Sequence, residues 1–375
     1  MNEDMARKIM DIVNPKQSIF GAPVIPYPEP VNGNTLLTRM FKTIKRHISC
    51  DDEVVIIATL WSTFTWVIDN ADCAPIAIIT APDRQCGKTQ TLSIFGELCP
   101  RPLQASNISS ASLYHVIENC NPTLLIDEAD TFLSRNNHLI GILNSGHTRK
   151  GASVIRTNNK GETKIFSTWG AKAISGIGNM PETIMDRGII LPLRRKLPEE
   201  SISPLRESEK DFKTLRSALA RWSADNGSRI SEMPRIDLPK LNSRQNDNWR
   251  PLLAIAELAG GEWLQYAKAA AIKYADYSIS SCTHNSLDLL SDIYAIFEVT
   301  KAERIYTKDL IPALCAYKPK AWGNFKNSAP ITDYQLAQNL SHFHIRSRST
   351  RINGDNLKGY YRKHFQDAFL RYISM

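Results

Sequence analysis

The chain has 375 residues, 42% of them apolar, with a formal net charge of +8 and a pI near 9.0. That length gives room for two or three domains around a sizeable core, and the basic excess favours an acidic partner such as nucleic acid. Seven cysteines, an odd number with no Cys-x-x-Cys pair, argue against a disulfide framework or a zinc site and fit a reducing cytoplasm. No apolar run reaches membrane-spanning length, and the N-terminus lacks the layout of a signal peptide, so a cytoplasmic protein without a membrane partner is expected.

In chain order, residues 1–13 have the pattern of a short helix. Residues 20–33, with four prolines and two glycines, read as an extended arm placed to pack on the body or on a neighbouring subunit. Helices follow over 35–48 and 52–67. The pattern then changes. Residues 75–80 are a compact β run, a glycine-containing loop follows, and 89–98 is a helix. A further helix runs to Asn119, with Ser109 or Ser110 at its N-cap. Residues 123–126 form a buried strand and 138–145 a short helix. Residues 152–157 and 162–167 flank Asn158-Asn159-Lys160-Gly161, a hairpin signal. Strands over 171–175 and 189–193 complete an alternation that implies a mainly parallel sheet. The next part is helical over 208–224, 248–259 and 262–275, and a boundary falls at 283–284. The remainder alternates short helices with two β runs around the turn Asn353-Gly354-Asp355, which is a winged-helix pattern.

Two strings carry chemistry. Arg84-Gln85-Cys86-Gly87-Lys88-Thr89 is the second half of a phosphate-binding loop, and it lies between a strand and a helix, as such a loop requires. Backbone N–H groups at a helix N-terminus cradle a phosphate. Gly87 lets the backbone approach, Lys88 supplies a cation to the β- and γ-phosphates, and Thr89 supplies a hydroxyl to magnesium. Arg84, Gln85, Cys86 and Gln90 complete the expected contacts. Pro82 replaces the usual first glycine, so Ala81-Pro82 must make the first turn. Some forty residues later, Thr123-Leu-Leu-Ile-Asp127-Glu128 is an apolar strand ending in two carboxylates. Asp127 is the candidate metal ligand and Glu128 the group that polarises the attacking water, at the strand end where open parallel sheets bind ligands. The ordered pair predicts a site for ATP and Mg2+. Phosphoryl transfer often adds an arginine. Arg187, at a helix end before the last strand, is the candidate; a surface pair with Asp186 or Glu182 is the plain alternative. A polar sensor should end the preceding strand, and Asn179 and Ser175 both qualify, with Asn179 preferred.

Cys86-Gly-Lys-Thr89, Leu124-Leu-Ile-Asp-Glu-Ala-Asp130, Leu143-Asn-Ser-Gly-His147, Asp186-Arg187, Asn248-Trp-Arg-Pro-Leu252, Ala256-Glu-Leu-Ala-Gly-Gly261 and Lys358-Gly-Tyr360 together resemble the domain-of-unknown-function 3631 family. These are P-loop ATPases of plasmid, phage and other mobile-element proteins. The resemblance covers roughly residues 30–375. It implies an α/β fold, a P-loop AAA+-like ATPase core with a helical lid and a C-terminal winged-helix-like domain. The expected division is an N-terminal arm and linker (1–34), the core with its preceding helices (35–200), the lid (201–283) and a basic winged-helix-like domain (284–375). Such proteins act as rings, a hexamer included. The resemblance then makes Arg187 the residue that completes a neighbour's site and Arg250 a second sensor on the lid.

Two features point to DNA. The hairpin lies between the acidic strand and the sensor strand, where hexameric helicases present a basic residue to the pore. Lys160 at its tip and Lys164 are the candidates, against a plain surface hairpin. From His344 to Tyr372 there are seven Lys/Arg against two acids, with Tyr360, Tyr361 and Phe365 interleaved. Arg346, Arg348, Arg351 and Lys358 are candidates to neutralise phosphates without reading sequence; a packing surface or a protein contact is the plain alternative. His147 and Arg149 either reach the site across a subunit boundary or make structural hydrogen bonds. Trp249 and Trp263 read as lid core, and Cys86 either as a thiol made reactive by the helix N-terminus or as a small passive residue, the passive role preferred. The sequence thus predicts a Mg-dependent ATPase that translocates on or remodels single-stranded or forked DNA, helicase-like, in mobile-element replication. A primase or other mobile-element or defence proteins are the further expected partners. The alternative is an ATP-driven switch or assembly platform without helicase activity.

Overall fold

The computed structural model describes residues 20, 22–106, 108–133, 136–157, 161–177, 180–275, 284–325, 329–352 and 355–373. The helix expected over 1–13, the hairpin tip with Lys160, and Asn179 lie outside them. Seven strands belong to the first half: β1 (Ile76–Ala81), β2 (Pro102–Ala105), β3 (Thr123–Ile126), β4 (Ser153–Thr157), β5 (Thr163–Ser167), β6 (Lys172–Ile177) and β7 (Gly188–Pro192). Five make one sheet in the order β2-β3-β6-β1-β7, with every neighbouring pair parallel. The protein is therefore a mixed α/β fold built on a parallel sheet, as expected.

The sequence of β1, Ile-Ala-Ile-Ile-Thr-Ala, explains its central place. All six residues are buried, and successive side chains point to opposite faces. Ile76 and Ile78 join Leu124, Ile126 and Ile174 in a core on one face, closed by helices Ser110–Cys120 and Asn137–Ser145. Ala77, Ile79 and Ala81 join Leu125 and Ala173 in a larger core on the other. That second face receives Asp52–Val67, a helix apolar nearly all round, with thirteen buried residues. It also receives Gly33–Lys45, Lys88–Leu98, and the helices Glu209–Glu232, Ser243–Ala259 and Trp263–Tyr274. The helices expected as a lid thus share one continuous core with the sheet. Trp222, Trp249 and Trp263 are buried in it. The extended arm lies along Glu209–Glu232, where Tyr27 N–H donates to Ser217 O (2.9 Å) and Arg221 Nη1 to Pro28 O (2.7 Å).

β2 was not expected. Pro-Leu-Gln-Ala is a half-exposed edge strand beginning with proline, and it lacks the apolar run that marks β1 and β3. The hairpin is found where expected, as β4 paired antiparallel with β5 and Ile155 opposite Ile165.

The last part runs through helix His284–Thr300, β8 (Arg304–Tyr306), helices Thr307–Tyr317 and Asp333–Ser341, β9 (Arg348–Ile352), β10 (Asp355–Tyr361) and the closing helix Gln366–Tyr372. β8, β10 and β9 form an antiparallel sheet in that order. This part has its own core of Leu289, Phe297, Leu310, Trp322, Leu336, Tyr360 and Phe365, among others. Tyr372 packs against this core and against the larger one.

Candidate functional site

The loop 82–87 leaves the C-terminal end of β1 and enters helix Lys88–Leu98. Gln85 (φ 58°) and Gly87 (φ 86°) both take left-handed backbone, a conformation that turns successive N–H groups toward one concavity. A side chain at position 87 would meet no atom within 4 Å, so glycine is needed there for its φ and not for space. Lys88 Nζ reaches back across the loop to Asp83 O at 3.0 Å. An ammonium has three donors, so two remain for a ligand. Burial pulls the Lys88 pKa below the ordinary lysine value, against the opposing pull of Cys86, Asp130, Asp127 and Asp83. The helix behind the loop is braced by Trp61 against Phe95 (ring centroids 4.7 Å) and by Trp66 Nε1, which donates to Leu98 O at 2.9 Å. Burial pushes the Cys86 thiol up, which suits the passive role and not a reactive one.

β3 brings its carboxylates beside this helix. Asp127 is 9% exposed. Its Oδ2 accepts from Thr89 Oγ1 at 2.8 Å, and its Oδ1 accepts from Glu128 N–H at 3.0 Å and from Ser175 Oγ. The last residue of the loop motif, the acidic strand and β6 therefore meet at one carboxylate. Ser175, one of the two sensor candidates, is brought to Asp127. Glu128 is exposed, with φ 52°. Asp130 lies against β6, since a side chain at Gly176 would come within 2.7 Å of its Oδ1. A hydroxyl and a carboxylate side by side are hard oxygen donors of the kind magnesium takes. The loop's N–H groups and Lys88 suit a phosphate. The residues present thus fit a nucleotide and its metal.

Arg187 and Arg250 lie elsewhere. Arg187 Nη1 donates to Thr183 O (2.7 Å), and Arg187 O accepts from Ile76 N–H (3.0 Å) at the start of β1. The loop leaves the other end of that strand, about 20 Å away at ~3.3 Å per residue. The expected partner Asp186 pairs instead with Arg244 at 2.9 Å. Arg250 was expected as a sensor at the nucleotide. It faces Asp72 at 3.8 Å, just before β1, and is not brought to the loop of its own chain. Helix Ser243–Ala259 crosses the N-terminal edge of the sheet and not the C-terminal one. There Asn248 donates to Asp186 O (3.0 Å) and Gly188 O (3.2 Å), the two carbonyls that flank Arg187, and its Oδ1 lies 2.6 Å from His147 Nε2. His147 is thus a buried hydrogen-bonding residue.

Arg195 is the residue that sequence reasoning missed. Its guanidinium is ion-paired with Asp83 inside the loop. The signal was the basic run Arg194-Arg195-Lys196 directly after β7.

On the hairpin, Arg156 and Lys164 are cross-strand partners on one face, over Tyr114 (5.3 Å) and Phe166 (4.9 Å) respectively. The other face presents Ile155 and Ile165, 61% and 63% exposed. Arg346, Arg348, Arg351 and Lys358 are all exposed. The β9–β10 register puts Arg351 and Lys358 on one face and Arg348 on the other.

Together these features define an α/β protein whose parallel sheet joins a strand-to-helix loop with left-handed backbone to a buried, hydroxyl-linked carboxylate. Residues 192–372 match the family described as a protein of unknown function (DUF3631), the one that the motifs resemble. The match begins at the end of β7 and leaves the loop and the acidic strand outside. An uncharacterized 28.9 kDa protein in the xis 5' region of Saccharopolyspora erythraea is 29% identical over 184 residues, covering 48% of this chain and 68% of that protein. Among solved structures, an active helicase, SCCmec type IV Cch, aligns with a TM-score of 0.41 at 11% identity over 91% of this chain and 72% of that one. The C-terminal region of NrS-1 aligns at 0.35 and 12% identity over 90% and 77%. The Aeropyrum pernix ORC2 protein aligns at 0.31 and 13% identity over 95% and 96%. Among the described residues, no helix is long and apolar enough to cross a membrane.

Proposed function

We propose that this chain is a Mg-dependent ATPase of the P-loop, AAA+-like kind that uses ATP hydrolysis to move along or remodel DNA. The observation that carries the reading is the Thr89–Asp127 hydrogen bond. It joins the end of a phosphate-cradling loop to the acidic end of a strand two places away in a parallel sheet. In this reading Arg84, Gln85, Cys86, Gly87 and Gln90 surround the phosphates with backbone and side-chain donors, and Lys88 directs its two remaining N–H bonds at them. Thr89 and Asp127 would hold magnesium, which would supply charge neutralisation at the phosphates. Ser175 and the Glu128 N–H fix the Asp127 carboxylate, and Glu128 accepts the proton of the attacking water at its carboxylate. Arg187, on the opposite sheet edge, serves the site of a second copy in a ring.

The division into an arm (1–34), a core (35–200), helices that cover it (201–283) and a winged-helix-like unit (284–375) belongs to this proposal. The helix–strand–helix–helix–strand–strand order from His284 to Tyr361 supports its last part. Helix Asp333–Ser341 carries no Lys or Arg. Phosphate contacts therefore fall to the wing, through Arg346, Arg348, Arg351 and Lys358, and to the hairpin through Lys164.

Mixing two inactive variants tests the reading. Lys88→Ala loses nucleotide binding, and Arg187→Ala binds nucleotide without turning it over. Equal amounts together recover a fraction of wild-type ATPase, because some interfaces pair an intact loop with an intact arginine. Glu128→Gln binds ATP and does not hydrolyse it; normal turnover by this variant sinks the assignment of the base. Turnover that rises with single-stranded DNA supports the motor, and turnover indifferent to DNA supports a switch.

A further inference from the structure

We propose that Arg195 is the nucleotide site's own arginine, contacting the bound triphosphate in cis, and that the C-terminal helix Gln366–Tyr372 positions it there. The inference rests on the loop 82–89 being a nucleotide site. Asp83 is the one acidic residue in that loop. Its carboxylate is paired with Arg195 and its carbonyl accepts from Lys88 Nζ at 3.0 Å, so two cations converge on one loop residue. Arg195 stands three residues past β7, the strand beside β1. Leu193 N–H donates to Thr80 O at 2.7 Å and keeps this segment against the root of the loop. Arg195 Nε is buried, and among the described residues nothing accepts its hydrogen. A guanidinium has five N–H donors, and with its side chain 32% exposed this one has donors left for a further anionic oxygen. An arriving triphosphate repels the Asp83 carboxylate and attracts the same guanidinium. Arg195 then exchanges part of its contact with Asp83 for a phosphate oxygen.

The grip on Arg195 comes from the far end of the chain. The guanidinium lies 5.8 Å from the Tyr372 ring centroid, and Tyr372 Oη accepts from Arg195 N–H at 3.3 Å. Arg371 Nη1 donates to Arg195 O at 2.7 Å. Arg371 is itself fixed by Glu200 (3.1 Å) and Asp367 (2.9 Å), with its side chain only 3% exposed. The helix that closes the basic C-terminal unit therefore holds an arginine at the phosphate loop. Arg250, the arginine expected there from sequence, is at the other sheet edge.

The test is the dissociation constant of a fluorescent ATP analogue with Mg2+, measured on the full chain for wild type, Arg195→Gln, Asp83→Asn and the double variant. Asp83→Asn binds several-fold tighter, because a like charge is gone. Arg195→Gln binds about tenfold weaker, and it does so equally in the Asp83→Asn background. The double variant replaces the ion pair by two neutral amides and leaves neither charge without its partner, which keeps the comparison open if Arg195→Gln alone folds poorly. An arginine that only neutralises Asp83 gives the opposite result: its loss has no effect once Asp83 is Asn, and the proposal is overturned. Tyr372→Ala weakens binding and Tyr372→Phe restores most of it, since the ring under the guanidinium is retained; equal affinity in all three overturns the positioning role. A wild-type chain that binds no nucleotide sinks the site and this inference together. Binding lost in Lys88→Ala but unchanged in Arg195→Gln sinks this inference alone.

Discussion

Replacing Asn248 by Leu keeps the bulk of the side chain and removes its hydrogen bonds. Asn248 is 1% exposed. Its amide donates to Asp186 O and Gly188 O, at 3.0 and 3.2 Å, and its oxygen meets His147 Nε2 at 2.6 Å. Those carbonyls sit on either side of Arg187, so the amide ties the turn that carries Arg187 to helix Ser243–Ala259. Leu leaves three partly or fully buried groups without this partner. Each buried group left unsatisfied costs about 1–3 kcal/mol, and each carbonyl keeps a second lone pair for other donors, which places the costs at the low end. Burial of the new methyl groups returns about 1 kcal/mol, for a net loss of about 2–3 kcal/mol. The urea slope grows with the surface exposed, and at about 4 kcal/mol/M for a chain of this size the midpoint should fall by about 0.5–0.75 M. The nucleotide affinity of the folded variant should stay near wild type, because the loop is at the opposite sheet edge, while ATP turnover falls with the misplaced Arg187. Urea denaturation followed by circular dichroism, together with an ATPase assay, measures both. A midpoint within about 0.3 M of wild type, or an affinity that drops while turnover holds, refutes the argument.

Two other predictions concern the loop and the C-terminal helix. Gly87→Ala meets no steric clash but must hold φ at 86°; the expected cost is about 1–2 kcal/mol, with a larger loss of nucleotide affinity if the loop relaxes to a negative φ, both measured by urea denaturation and analogue titration. Wild-type values for both contradict the claim that the loop needs this conformation. Burial pushes the Glu200 carboxyl up, and hydrogen bonds from Arg371, Ser49 and the Leu197 N–H outweigh it, leaving a pKa of about 2 against an ordinary 4.5. The folded value is the lower one, so the stabilisation is complete above pH 4.5 and is lost as pH falls through 2. The stability gap between wild type and Glu200→Gln should therefore be constant above about pH 5 and shrink toward pH 2; a gap that stays constant down to pH 2 is the contrary result.

The parts of the site that could be read from sequence are those whose partners are close along the chain. The loop and β3 announce themselves by residues a few positions apart, because a cradle of N–H groups and a buried strand end are local structures. Their joining is already a long-range fact, with Thr89 and Asp127 38 positions apart, but two recognisable halves made it predictable. Ser175 meets Asp127 across 48 positions, Asn248 meets Asp186 across 62, and Arg195 meets Asp83 across 112. Ser175 could be read only as one of two candidates and Arg195 only as part of a basic run, and no local pattern names the partner of either. β2 was missed for a related reason, since an edge strand needs no apolar run to be held by its neighbour. Arg250, which is not brought to the loop of its own chain, shows the converse limit. Helix periodicity tells which residues share a face, but not which edge of the sheet the helix crosses, and that edge decides what an arginine can touch. The direction of β1 then sorts the arginines. The loop leaves one end of the strand and Arg187 holds the other, so beside Arg84 of the loop itself the arginines proposed for the nucleotide are Arg195 of the same chain and Arg187 of a second one. Only the second can be restored by mixing defective subunits, so a mixture of Lys88→Ala and Arg195→Gln chains recovers activity no better than the Arg195→Gln chain alone provides.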